Sequence, residues 1–173
     1  MLAVIFRPSL AAFEAARARA SLGGAITNTA AIGVVTGGIG GAINFIFAGD
    51  AAAEIVTLAI MTALRLVAAL IASQAFLFAA ARALNGRGDF ATQTYLAALA
   101  FAPLTALGML ADVVPTYGAF VAVAVWLYSS GPIALATRAA HGGRAWRVAN
   151  VTLLGWTLLA SGIGWLVISS LPA

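Results

Sequence analysis

Five long apolar stretches, separated only by short breaker segments, constrain this chain more than any other feature. They cover residues 22–48, 53–82, 91–111, 114–137 and 148–171. A hydrocarbon core about 30 Å thick is crossed by about 20 helical residues, so each stretch is long enough to span it. The breakers are Gly49-Asp50, the run Asn85-Gly86-Arg87-Gly88-Asp89, a turn from Asp112 to Pro115, and His141-Gly142-Gly143-Arg144. All carry the glycine, proline, asparagine and aspartate chemistry that ends regular structure. The expected fold is all-α: a polytopic transmembrane helix bundle of five spans (residues 22–173), preceded by a short interfacial segment (residues 1–21).

Composition supports a membrane setting. Hydrophobic residues make up 63% of the chain and charged ones 8%, with mean hydropathy +1.05. A water-soluble domain with so few charges could not cover its surface with well-hydrated groups. The formal charge of +4 comes from arginines scattered between apolar runs, not from the water-facing basic stripe that nucleic-acid binding requires. Membrane lipids, and other membrane proteins or a second copy of the chain, are the expected partners, with no nucleic acid. Cysteine is absent, which excludes disulfides and thiolate chemistry. All nine basic residues are arginine, which with the high alanine content suggests a GC-rich prokaryotic genome and an inner-membrane location. Leu2 to Phe6 is too short for the apolar region of a cleavable leader and runs into Arg7-Pro8.

Residues 8–21 begin at a proline, whose fixed φ suits a first helical turn. Leu10, Phe13, Arg17 and Ala20 recur at helical spacing. The expectation is an interfacial helix in which Arg17 and Arg19 meet anionic head groups while Leu10 and Phe13 dip below them.

Charge distribution gives the orientation. With five spans, the N-terminus and the second-to-third and fourth-to-fifth connections share one side. They carry Arg7, Arg17, Arg19, Arg82, Arg87, Arg138, Arg144 and Arg147, eight of the nine arginines. The other side carries Asp50, Glu54 and Asp112 and no arginine. Because basic residues flanking spans stay in the cytoplasm, the N-terminus is expected inside and the C-terminus outside. Arg17, Arg19, Arg87, Arg144 and Arg147 are the candidate head-group contacts. Trp146 at the inner boundary, with Tyr117 and Trp165 toward the outer one, suits the aromatic belt, whereas Trp126 and Tyr128 lie too deep to be anchors.

Inside the membrane, Gly33, Gly37 and Gly41 fall on one face of the first span at four-residue steps. Small residues allow close helix approach. Packing within the monomer is favoured over a homodimer face, since internal partners are at hand. Arg65 lies about 16 Å beyond Glu54 along the second span and so near the midplane, where a charge costs a few kcal/mol. Arg65, Glu54 and Gln74 form the candidate intramembrane polar site, with Asn28, Asn44, Thr62 and Thr105 as further partners. Two readings stay open: an anion, lipid-phosphate or substrate site, or a structural arginine bonded to backbone oxygens. Pro103 within the third span reads as a static kink rather than a hinge.

Little here suggests enzymatic chemistry. His141 is the single histidine, read as a solvated loop residue, and cannot form a metal site alone. No nucleophile, base and orienter converge, and Gly86-Arg87-Gly88 lacks the lysine and hydroxyl of a phosphate loop, so it reads as a hairpin. No catalytic residue, metal or cofactor is expected.

From Ala83 onward the chain resembles the Yip family of Rab/Ypt-interacting membrane proteins. The resemblance rests on Gly86, Gly88, Asp89 and Phe90 in the run from Asn85, then Tyr95, Ala102-Pro103, the aromatic positions Trp126 and Tyr128, and the loop from His141 to Arg147. It implies five spans with a cytoplasmic N-terminus and a tendency to associate with other membrane proteins. The chain departs from the family in having only about 21 residues before its first span, where eukaryotic members carry a long cytosolic region associated with Rab binding. The GTPase role is therefore not carried over. The functional expectation is a non-enzymatic integral membrane scaffold or accessory subunit; the alternative is a small transporter or channel with its site around Arg65.

Overall fold

The computed structural model describes residue 5 and residues 7–49, 51–111 and 117–142. Within these residues the fold is all-α, with five helices: α1 (Leu10–Arg17), α2 (Leu22–Ala48), α3 (Ala52–Ala83), α4 (Phe90–Ala111) and α5 (Gly118–His141). The last four are long and apolar enough to cross a membrane. The expected fifth span, residues 148–171, lies outside the described residues, as do the turn from Asp112 to Pro115, Arg144, Arg147, Trp146 and Trp165.

The helix ends follow capping chemistry. Ser9 and Ser21 cap α1 and α2 by accepting the Ala12 N–H at 3.3 Å and the Gly24 N–H at 3.0 Å. α1 therefore starts at Leu10, two residues after Pro8, and ends at Arg17. Gly49, with φ of 75°, ends α2 in the left-handed conformation that glycine adopts without strain. At the end of α3, Asn85 takes that role with φ of 63°. Its N–H donates to Arg82 O at 3.1 Å and the Gly86 N–H donates to Ala81 O at 2.8 Å, the paired bonds of a Schellman cap. Asp89 then caps α4, its Oδ1 accepting the Thr92 N–H at 2.8 Å. Hydrogen bonds from the Thr92 backbone and side chain hold the Asp89 carboxyl below the usual carboxylate range. The stabilisation from this ionised cap is complete above the unfolded-state value of about 3.9 and is lost as pH falls through the lower folded value. Asp89→Ala is expected to cost about 1 kcal/mol. Asp89→Asn should keep most of the cap but lose this acid-dependent component, which thermal unfolding at several pH values would report.

α2 and α3 form an antiparallel pair, since Gly33 lies against Ala63 and Gly41 against Ile55. α4 packs on α2, α3 and α5, and is the central helix. Every residue from Leu96 to Ala102 is buried, as expected for a helix apolar on all sides. Pro103 is accommodated inside this continuous helix.

The helix expected over residues 8–21 forms as α1, but its apolar side is turned to protein at Phe13. Phe13 is fully buried in protein, packed with Ile5, Leu96, Ala97, Leu99, Ala100, Leu104 and the alanines Ala136, Ala139 and Ala140 of α5, while Leu10 lies at the margin of this cluster. Alanine-rich faces on α4 and α5 leave the room that this aromatic ring fills. The Tyr128 hydroxyl donates to Ile5 O at 2.7 Å, and Trp126 packs against the core cluster that contains Ile133, Phe101 and Leu70; both rings thus have internal roles.

Candidate functional site

Polar groups gather in two places, at different heights in the bundle. The first is at the end where α3 finishes and α4 begins. Gln74 of α3, Gln93 in the first turn of α4 and His141, the last residue of α5, are all buried there. The Gly88 N–H donates to His141 Nδ1 at 2.9 Å, and His141 Nε2 lies 2.7 Å from Gln93 Oε1. Since Nδ1 accepts, the proton sits on Nε2, which donates to the Gln93 amide oxygen; the imidazole is neutral. Gln93 Nε2 donates onward to Gln74 Oε1 at 3.0 Å and to Gln74 O at 3.4 Å. One chain of hydrogen bonds thus ties three helices to the 85–89 connection. Gln74 Nε2 ends it as a buried donor without a partner.

His141 is therefore not the solvated loop residue expected from the sequence. It is 6% exposed, because α5 continues through Arg138 and presents the ring to Gln93 instead of to water. The glycines around it are required by packing. A Cβ on Gly86 would lie 2.6 Å from His141 Nδ1, and one on Gly88 would lie 2.7 Å from Ala140 O. Phe90 meets Phe78 edge-on with ring centroids 5.6 Å apart, and the Arg82 guanidinium stands 5.9 Å from the Phe78 ring centre. Gly86, Gly88, Asp89 and Phe90 each hold this end of the bundle in shape. Arg17, Arg19 and Arg87 are exposed. They lie at the same end, where α1 enters, α3 finishes and α4 starts.

The second place is a cleft of about 220 Å³ between α2, α3 and α4, lined among others by Gly37, Gly40, Gly41, Asn44, Thr62 and Arg65. Gly33, Gly37 and Gly41 all lie against α3 of the same chain. A Cβ at Gly37 would reach 2.7 Å from Thr62 Oγ1, and one at Gly41 2.8 Å from Ile55 Cα. This close approach brings Thr62 over α2, while Gly40, whose added Cβ would meet nothing within 4 Å, leaves the cleft open beside it.

The structure separates the three residues of the expected polar site. Glu54 is in the first turn of α3, about 16 Å along the axis from Arg65, and Gln74 is about 14 Å away in the other direction, within the first cluster. Of the further partners, Asn44 and Thr62 line the cleft with Arg65, whereas Asn28 and Thr105 do not. Among the described residues no group of three histidine, aspartate or glutamate side chains converges to hold a metal ion.

Sequence reasoning missed the Gln74–Gln93–His141 chain. The usable signal was two glutamines inside otherwise apolar spans together with a lone histidine, since each needs a partner when buried. Comparison with protein-family models, with curated proteins and with solved structures finds no match.

Proposed function

We propose that this protein is a non-enzymatic integral membrane scaffold or accessory subunit, associating with membrane-protein partners and with lipid. The observation that carries this reading is the Gln74–Gln93–His141–Gly88 chain. The Gln74 amide oxygen, the Gln93 amide, the His141 ring and the Gly88 N–H are bonded in series, which fixes α3, α4, α5 and the connecting loop as one block. Apolar faces on the outward sides of α2 and α3, among them Val35, Ile46, Phe47, Val56 and Phe76, remain for lipid or partner helices. In this reading the chain crosses a prokaryotic inner membrane five times, with the exposed Arg17, Arg19 and Arg87 at the cytoplasmic head groups and the C-terminus outside. The resemblance to Yip-type proteins agrees with that topology and with a role through association.

Affinity purification of the tagged chain in mild detergent tests the reading: a defined membrane-protein partner is expected at constant ratio. Recovery of the chain alone, together with solute flux in liposomes that Arg65→Ala abolishes, would establish the second reading, a small transporter or channel. That second reading draws on the cleft, which places a guanidinium beside two threonines and an asparagine.

A further inference from the structure

We propose that the cleft between α2, α3 and α4 binds one phosphate-class anion, held by Arg65 with Thr62 and Asn44. Arg65 is fourteenth of the 32 residues of α3, about 20 Å from either surface-directed end or more. Arg65 is exposed at the open cleft, and a charge at that depth calls for a partner of opposite sign or an acceptor. Among the described residues its guanidinium has neither a hydrogen-bond nor an ion-pair partner.

Among the described residues no carboxylate lines the cleft: the acids there are Glu14, Glu54 and Asp89, and none of them is among its lining residues. Glu54 is too far along α3, and Asp89 is occupied in capping α4. What does line the cleft is a donor set. Thr62 stands one turn nearer the α3 N-terminus than Arg65, the direction in which helical side chains lean. Arg65 lines the cleft together with Thr62, Leu58 and Asn44. The Thr36 hydroxyl already donates to Ile32 O at 2.8 Å and adds no donor. A planar guanidinium fork supplemented by one hydroxyl and one amide matches a tetrahedral oxyanion better than any neutral group.

Size narrows the class further. At about 220 Å³ the cleft is smaller than the roughly 300–1,000 Å³ of a site for drug-sized ligands, yet several times the roughly 30 Å³ of one water. A head-group phosphate or free inorganic phosphate fits this range. Gly40 provides an independent handle: a larger side chain there enters the cleft without meeting neighbouring atoms at its Cβ.

The test uses the full chain in nanodiscs of phosphatidylcholine. Inorganic phosphate is titrated in one arm, and phosphatidylglycerol replaces part of the lipid in the other, with thermal stabilisation and native mass spectrometry as readouts. Wild type is expected to bind one equivalent saturably in at least one arm, the responding arm identifying the source as free anion or lipid head group. Binding should weaken about tenfold or more in Arg65→Gln, the loss of a charge-assisted hydrogen bond. Gly40→Leu should abolish binding while the ligand-free melting temperature stays near that of wild type, so the test survives if Arg65→Gln folds poorly. All variants keep Arg17, Arg19 and Arg87, so adsorption at the exposed arginines cancels. Equal binding in wild type, Arg65→Gln and Gly40→Leu, or no binding in either arm, would overturn the proposal.

Discussion

Replacing Gly33 with leucine is expected to destabilise the protein by about 3 kcal/mol or more, at the upper end for forced overpacking. A Cβ at this position would fall on the Ala63 backbone, 2.9 Å from its nitrogen, and backbone cannot turn aside as a flexible side chain can. α2 and α3 would have to separate along the whole seam that Gly33, Gly37 and Gly41 share. Membrane helices gain little from apolar burial against each other and depend on this close packing, so the loss is not offset by a larger buried side chain. Gly38 is the control. It stands on the same helix with nothing within 4 Å of an added Cβ, so Gly38→Ala should change stability by no more than about 1 kcal/mol, in the favourable direction. Reversible unfolding in mixed detergent micelles would measure both, and equal effects at the two positions would contradict the internal packing of this glycine face.

Gln93→Leu is the second large effect expected. The substitution strands the His141 Nε2–H and Gln74 Oε1 in a buried setting. At about 1–3 kcal/mol for each group left unsatisfied, the loss should reach about 3 kcal/mol. Gln74→Leu should cost clearly less, because Gln93 Nε2 keeps the backbone oxygen of residue 74 and an already unpaired donor is removed. The local signature is the Gly88 amide. It is bonded to His141 Nδ1, so its hydrogen exchange should be slow in the wild type and accelerate in Gln93→Leu as the ring loses its second anchor. An unchanged Gly88 exchange rate would mean that the ring does not depend on Gln93.

The helices were legible because hydropathy alone marks a bilayer-length run. The expected span of residues 22–48 coincides with α2, and 53–82 and 91–111 fall within one residue of α3 and α4 at each end. The fourth expected span, 114–137, begins in residues outside those described, and its helix runs four residues past the expected end, to His141. An apolar window stops before Arg138 and His141, while the helix continues because Gln93 and Gly88 accommodate the imidazole. Side-chain partnerships of this kind were not legible. His141 meets Gly88 and Gln93 across sequence separations of 53 and 48 residues, and no local pattern encodes such a pairing. Phe13 illustrates the same limit. Helical spacing identified its face correctly as apolar but could not tell lipid from the alanine-lined surface of α4 and α5. Arg65 was legible as an anomaly from its depth alone, whereas its neighbours were not, since Asn44 reaches the cleft from α2 only through the glycine seam.

The central claim is that these helices cross a bilayer with their arginine-bearing ends on the cytoplasmic side. Because the chain has no cysteine, single substitutions can be labelled against no background. Arg19→Cys, Ala51→Cys and Arg87→Cys, each at an exposed position at a helix end, should be treated in intact cells with a membrane-impermeant maleimide. The account predicts labelling of Ala51→Cys alone, with Arg19→Cys and Arg87→Cys reacting only after the membrane is opened. Equal labelling of all three in intact cells, or of Arg19→Cys and Arg87→Cys but not Ala51→Cys, would contradict it.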